Sequence, residues 1–189
     1  MIDLKNKIYV EYKNIISKEI SNKLELIMSG NNFPWFYQDN TVSDESDYFK
    51  NKKFKKYDTG QFTHIFVNSE KINSPFFNEV YNILQIFSKK TNTIFDILRC
   101  KANMQLKKNN KKHNIPHKDM LESHLVLIYY VNNSDGDTIL FDKNFKIVEK
   151  IKPKKGKFLL FNGDILHASS PPVKSKKRMI INLNIKIKK

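Results

Sequence analysis

Four residues in the C-terminal half have the types and spacing to do chemistry together: His117, Asp119, His167 and Arg178. Two imidazoles and one carboxylate form the ligand set of a facial iron(II) site, which leaves coordination positions open. His117 and Asp119 stand at i and i+2, so extended backbone points both to one face. One strand face does not supply a third ligand at right angles, so that ligand must come from another strand. His167 follows 50 residues later, after several strand and turn signals. Arg178 comes eleven residues beyond it on a strand-like stretch and could hold the far end of an acidic co-substrate. Its planar fork grips a carboxylate bidentately, which Lys does not do. The H-x-D pair alone is weak evidence, since such tripeptides arise by chance. The order and spacing of the whole set carry the reading.

The other candidates read differently. His124 shares a strand face with Val126, Ile128 and Tyr130, which suits a supporting role beside the site. His64 lies in an apolar strand and reads as a hydrogen-bonded core histidine, whereas His113, in a Lys/Asn loop, reads as solvated. Cys100 falls on the apolar face of its strand and reads as packing.

The elements that must position these residues are mostly strands. Residues 98–106 alternate, with Leu98, Cys100, Ala102, Met104 and Leu106 on one face and Arg99, Lys101, Asn103 and Gln105 on the other. The last strand repeats the pattern: Met179, Ile181, Leu183, Ile185 and Ile187 share an apolar face, while Arg178, Ile180, Asn182 and Asn184 share a mixed one. A strand covered outside by helices and lining a polar cavity inside has this composition. Further strands are expected over 124–131, 138–141, 145–148 and 157–162, separated by turns. The N-terminal part reads as mainly helical. One helix runs from the cap Ser17 to about Met28, with Gly30 as its stop; a second starts at Ser74-Pro75 and runs to about Ser88. Residues 39–60 read as a long polar loop and a candidate lid. The expected fold is α+β, mainly β: a double-stranded β-helix, or jelly roll, with N-terminal helices buttressing one sheet. It forms a single domain over 1–189, with helical support over about 1–92 and a jelly-roll core over about 94–187.

Composition sets the remaining bounds. A chain of 189 residues with 40% hydrophobic and 12% aromatic content can bury a sizeable core. No apolar run approaches the ~20 residues that span a bilayer, so no membrane partner is expected. The N-terminus lacks the layout of a signal peptide. A single cysteine excludes an internal disulfide and fits a reducing, cytoplasmic setting. The net charge of +15 admits nucleic acid as a partner. The Lys residues are scattered in short runs, however, which favours a solvated surface. Arg occurs only at positions 99 and 178, both on strand-like stretches flanking the proposed site. For Arg99 a salt bridge within the sheet is an equally open reading.

Taken together, the strand 98–103, the His117/Asp119 pair, Ile128-Tyr129-Tyr130-Val131-Asn132, Asp135-Gly136-Asp137-Thr138, Phe158 to Phe161, His167 and Arg178 to Asn182 resemble a known family. It is the iron(II)- and 2-oxoglutarate-dependent dioxygenases of the prolyl-4-hydroxylase-like kind, and the resemblance spans roughly residues 33–187. It implies Fe(II), 2-oxoglutarate and O2 as cofactor and co-substrates, with His117, Asp119 and His167 as metal ligands. It implies that Arg178 pairs with the distal carboxylate of 2-oxoglutarate, and that Tyr130, Ile128, Asn103 and Gln105 lie along the co-substrate. Many members carry Tyr where Gln105 stands; a Gln amide can still donate a hydrogen bond. The implied reaction hydroxylates an unactivated C–H, most directly of a protein or peptide side chain such as proline, with release of succinate and CO2. Small-molecule substrates stay open. Two alternatives stand beside it: a cupin-like metalloenzyme without 2-oxoglutarate, against which Arg178 argues, and a non-enzymatic basic module that binds nucleic acid.

Overall fold

A computed structural model describes residues 4, 7–43, 46–48, 50, 52–110 and 112–188. In chain order the elements are β1 (Tyr9–Tyr12), α1 (Lys18–Ser29), β2 (Phe36–Gln38), α2 (Lys52–Lys55), β3 (Gln61–Asn68), β4 (Lys71–Ile72) and α3 (Phe77–Thr91). These are followed by β5 (Phe95–Leu106), β6 (Leu125–Tyr130), β7 (Thr138–Phe141), β8 (Ile147–Ile151), β9 (Phe158–Asn162), β10 (Leu166–Ser169) and β11 (Lys177–Ile187).

The strands form two antiparallel sheets. The larger runs β1-β9-β6-β11-β5-β3-β2, with β4 added beside β3; the smaller runs β10-β7-β8. This is the jelly roll expected from the strand pattern. Its centre is the pairing of the two alternating strands, β5 and β11, whose register puts Gln105 opposite Arg178 and Arg99 opposite Asn184.

Alternation sorts the core into two layers. On the outer face of the large sheet, Cys100, Ala102, Leu127, Tyr129, Leu160, Met179, Ile181 and Leu183 pack against Leu24 and Met28 of α1 and Val80, Ile83, Leu84 and Phe87 of α3. Between the sheets lie Val126, Ile128, Tyr130, Leu140, Leu159, Phe161 and Ile180. The helices therefore buttress one sheet, and the opposite face of that sheet is free to line a cavity.

Several local expectations shift. The first helix keeps its cap, with the Ser17 hydroxyl accepting from the Ile20 N–H at 3.2 Å. The second starts at Phe77, because the Ser74 hydroxyl accepts from the Phe76 N–H (3.1 Å) and forms a turn first. It runs to Thr91 and stops where Asn92 enters the left-handed region at φ 48°. β8 starts at Ile147, two residues later than expected. Asp142 Oδ1 accepts from the N–H groups of Asn144 and Lys146, which draws Phe145 into the turn at φ 60°. The N-terminal part also adds four strands to the large sheet: β1 falls in the β-rich lead-in expected over 7–16 and β3 on the short strand expected over 62–67, while β2 and β4 come in addition. No helix among the described residues is long and apolar enough to cross a membrane.

Candidate active site

His117 and His167 form an isolated antiparallel bridge, each N–H donating to the other's carbonyl at 3.0 Å. Directly opposed residues project to the same side, and the rings stand 4.9 Å apart. Asp119, two residues past His117, completes the group: one ligand atom from each of the three lies within 4.8 Å of the others. Each imidazole is aimed by the backbone. His117 Nδ1 donates to the Ile115 carbonyl (2.8 Å) and His167 Nδ1 to the Ile165 carbonyl (3.2 Å). A carbonyl only accepts, so the proton sits on Nδ1 and the Nε2 lone pair faces the cavity.

The Asp119 side chain is 2% exposed. Its Oδ1 accepts from Arg99 Nη2 at 2.6 Å; its Oδ2 accepts from Asn182 Nδ2 (2.9 Å) and Asn184 Nδ2 (3.0 Å). Arg99 is held in turn by Asn184 Oδ1, 2.9 Å from its Nε. A carboxylate offers about four lone-pair directions. Three are taken by donors that fix its plane, and one is left for a cation. Burial alone would push the Asp119 carboxyl up. Contact with the His167 ring and the charges of Arg99 and Lys101 outweigh it and hold the carboxyl well below the usual carboxylate range. Burial and the neighbouring His167 pull His117 down to about 3. The anion and the neutral imidazole that a divalent metal requires are thus the forms the fold favours.

Beside the triad, Asn103, Ile128, Thr138, Ile180, Asn182 and Arg178 line a slot between the sheets. Arg178 is 2% exposed; its Nε donates to the Gly136 carbonyl (2.9 Å) and its Nη2 to Thr138 Oγ1 (2.8 Å). Among the described residues no carboxylate lies within ion-pair distance of it, and burial weakens its hold on its proton. Its neighbour Lys177 points to the other face, where Nζ donates to Ser29 Oγ. Tyr130 is fully buried and reaches the slot at one remove, its hydroxyl donating to the Thr138 Oγ1 that also receives Arg178. Gln105, opposite Arg178, has neither amide atom hydrogen-bonded, and the Oδ1 atoms of Asn103 and Asn182 are likewise unpartnered. Buried amide atoms without partners are costly; of these four only Gln105 Nε2 is a donor, so it and the guanidinium of Arg178 are the groups here that could meet an anion, while the three oxygens call for donors.

The other histidines take separate places. His64 is a satisfied core residue, with Nδ1 2.8 Å from the Pro34 carbonyl and Nε2 2.7 Å from Ser74 Oγ. His124 has Nδ1 on the Glu122 carbonyl (2.7 Å) and its ring against Gly163, outside the triad. His113, read as solvated from its loop composition, is half-buried, with its ring against Phe54 and Phe141, 5.4 and 4.9 Å away. Sequence reading missed Thr138, Asn182 and Asn184 as contributors. The two asparagines were visible as polar residues on the mixed face of β11, the face that carries Arg178.

A wider cavity of about 510 Å³ opens at the mouth of the site, beside His117 and Asp119. Its walls are Gln38 to Ser43, Ser46, Thr63, Ile65 and Asn68, with Arg99, Lys101 and Lys118 as the cations. Part of the expected lid is therefore a wall: Thr41 is pinned by Asp58, which accepts its N–H at 2.8 Å and its hydroxyl at 2.6 Å. Burial and the nearby Arg99 draw the Lys101 ammonium down to about 8, with Asp119 opposing.

Residues 102–186 match the family model of the 2OG-Fe(II) oxygenase superfamily. No curated protein matches the sequence. The fold is similar to an oxidoreductase of the 2OG-Fe(II) oxygenase family from Burkholderia pseudomallei: TM-score 0.71 at 12% identity, over 97% of this chain and 87% of that one. A prolyl hydroxylase from Trichoplax adhaerens, solved with a hypoxia inducible factor peptide fragment, gives TM-score 0.65 at 13% identity over 96% and 84%. The viral collagen prolyl hydroxylase of Paramecium Bursaria Chlorella virus-1 gives 0.56 at 15% over 95% and 96%. At these identities the likeness is one of fold. The stretch that matches the 2OG-Fe(II) oxygenase superfamily model, residues 102–186, lies across the jelly-roll core and contains the whole His-Asp-His group.

Proposed function

We propose that His117, Asp119 and His167 hold one Fe(II) and that Arg178 pairs with the distal carboxylate of 2-oxoglutarate. The observation that carries this reading is Arg178 itself. A buried guanidinium without a counter-ion is expensive, and this one sits in a slot that leads to a metal-ready triad. Asn103 supplies an amide and Ile128 an apolar wall of the slot, and Gln105, cross-strand from Arg178, could donate its amide N–H to the same carboxylate. Tyr130 acts through Thr138, fixing the hydroxyl that orients Arg178.

When bound, the metal supplies oxygen activation coupled to decarboxylation of 2-oxoglutarate, with succinate and CO2 released as a C–H bond is hydroxylated. The chain's own part is placement. Arg178 fixes one end of the co-substrate, which sets where its 2-oxo acid end meets the triad. Arg99, Asn182 and Asn184 keep Asp119 ionised and in plane. Ile128, Ile180 and the inter-sheet core exclude water from the slot. The target C–H must enter from the mouth cavity.

A protein or peptide side chain such as proline is the target suggested by the prolyl hydroxylases among the proteins of similar fold. The mouth favours a more polar target than a proline ring: its walls are amides, hydroxyls, cations and the carboxylates of Asp39 and Asp119, with Val42 and Ile65 as the apolar side chains. The single buried cysteine fits a reducing, cytoplasmic setting. The decisive assay is succinate formation from 2-oxoglutarate by purified protein. It should require Fe(II) and vanish in Asp119→Ala. Iron-independent succinate, or equal rates in both proteins, would refute the proposal.

A further inference from the structure

Four cations lie in the slot and its mouth, and their partners can be compared. Arg178 is spent on the slot end, held by Gly136 and Thr138. Arg99 is spent on Asp119 and Asn184. Lys118 leans toward Asp164, 3.5 Å away. The Lys101 ammonium makes no hydrogen bond or ion pair with any described residue, although the residue is half-buried. It stands on β5 between Arg99 and Asn103, on the face that looks into the site, with Asn182 and Ile65 as its cross-strand partners. It is also among the residues common to the slot and the mouth, so it stands where a substrate must bring its reacting carbon.

A partly desolvated ammonium without a partner costs free energy. Under the oxygenase reading, on which this argument rests, 2-oxoglutarate does not relieve that cost. One of its carboxylates goes to Arg178 and the other belongs at the metal. The charge left over is positive and faces the mouth. The mouth's own carboxylate, Asp39, is exposed on the rim. A cavity of about 510 Å³ suits one small molecule or one extended side chain.

We infer that Lys101 pairs with an anionic group, a carboxylate or a phosphate, on the primary substrate, and so determines which molecules the site accepts. The anion anchors the substrate at the boundary of slot and mouth and holds a neighbouring C–H toward the triad. A compound of the same shape with an amide or hydroxyl in place of the anion leaves the ammonium unpaired and is rejected.

The test uses protein loaded with Mn(II) and saturated with 2-oxoglutarate. It is titrated calorimetrically with the free amino acids and their carboxamides, and with nucleoside monophosphates and their parent nucleosides. At least one anion should bind, with its uncharged counterpart weaker by about tenfold or more. Whichever arm responds identifies the anion as carboxylate or phosphate. Lys101→Met should erase that preference and Lys101→Arg should keep it, while 2-oxoglutarate affinity falls by less than about threefold in both. The inference is overturned if no anion binds to protein that does bind Mn(II) and 2-oxoglutarate, or if uncharged counterparts bind equally well. It is also overturned if Lys101→Met weakens 2-oxoglutarate as much as the anion, which would make Lys101 part of the co-substrate's own site. Wild-type protein that binds neither Mn(II) nor 2-oxoglutarate would remove the oxygenase reading and this inference with it.

Discussion

Arg99 donates to Asp119 across 2.6 Å, from the middle of β5 to a residue that belongs to no strand. The bond ties the H-x-D segment to the large sheet, while the His117–His167 bridge ties it to the small one. The carboxylate is thus held from one side by a cation and two asparagine amides, and presented to its histidines on the other. Replacing Arg99 with Ala should weaken metal binding by roughly 10- to 100-fold, the usual effect of losing a group that orients a ligand. Titration of wild type and variant with Mn(II) measures it. Equal affinities would show that Asn182 and Asn184 suffice.

The charge state of the triad makes metal-free protein acid-sensitive. His117 is held at about 3 against an ordinary 6.5. Between those values the unfolded chain binds its proton and the folded chain does not, so stability falls as pH falls. Asp119, held well below its ordinary 3.8, adds a further loss at still lower pH. The Tm of metal-free protein should therefore decline steadily from about pH 6.5 downward, and His117→Ala should flatten the upper part of that slope. A variant with the wild-type slope would contradict the assignment.

Asp135 organises the approach to Arg178. Its Oδ2 accepts from the N–H groups of Val173 (3.2 Å) and Lys174 (2.9 Å), and its Oδ1 from that of Ser175 (2.8 Å). These bonds fold the turn that feeds β11. Asp135→Ala should cost about 1–2 kcal/mol, a drop in Tm of roughly 2–8 °C for a domain of this size. It should also weaken 2-oxoglutarate binding modestly, since the register of Arg178 loosens. Thermal melts with and without 2-oxoglutarate separate the two effects.

The buttressing helix can be tested apart from the site. Phe87 of α3 is fully buried against Tyr12, Phe95 and Phe158, with ring centroids 5.1, 5.8 and 4.9 Å away. Phe87→Ala should destabilise by about 3–5 kcal/mol through the cavity it leaves, as read from denaturant unfolding. Metal stoichiometry in the protein that stays folded should be unchanged.

How far the chain could be read depends on whether the information is local. The alternation in β5 and β11 is local, and it disclosed both the apolar face that meets α3 and the polar face that carries Arg178, Asn182 and Asn184. The H-x-D spacing and the later His were equally visible. Contacts between distant segments were not. Nothing near Arg99 shows that its partner is Asp119, and nothing near Tyr9–Tyr12 shows that it pairs with Phe158–Phe161. His113 looks solvated in its loop and is packed only because Phe54 and Phe141 arrive from elsewhere. The shifts in α3 and β8 have a subtler cause, side chains of Ser74 and Asp142 capturing backbone N–H groups and making turns where periodicity alone extends the element.

The central claim is that one divalent metal on His117, Asp119 and His167 and the guanidinium of Arg178 together form the 2-oxoglutarate site. Calorimetric titration of Mn(II)-loaded protein with 2-oxoglutarate tests it most directly. Wild type should bind one equivalent. Arg178→Ala should bind roughly 30- to 1,000-fold more weakly, as expected when one partner of a buried charge pair is removed, and Asp119→Ala should bind neither metal nor co-substrate tightly. Unchanged 2-oxoglutarate affinity in Arg178→Ala, or full metal occupancy in Asp119→Ala, would contradict the account.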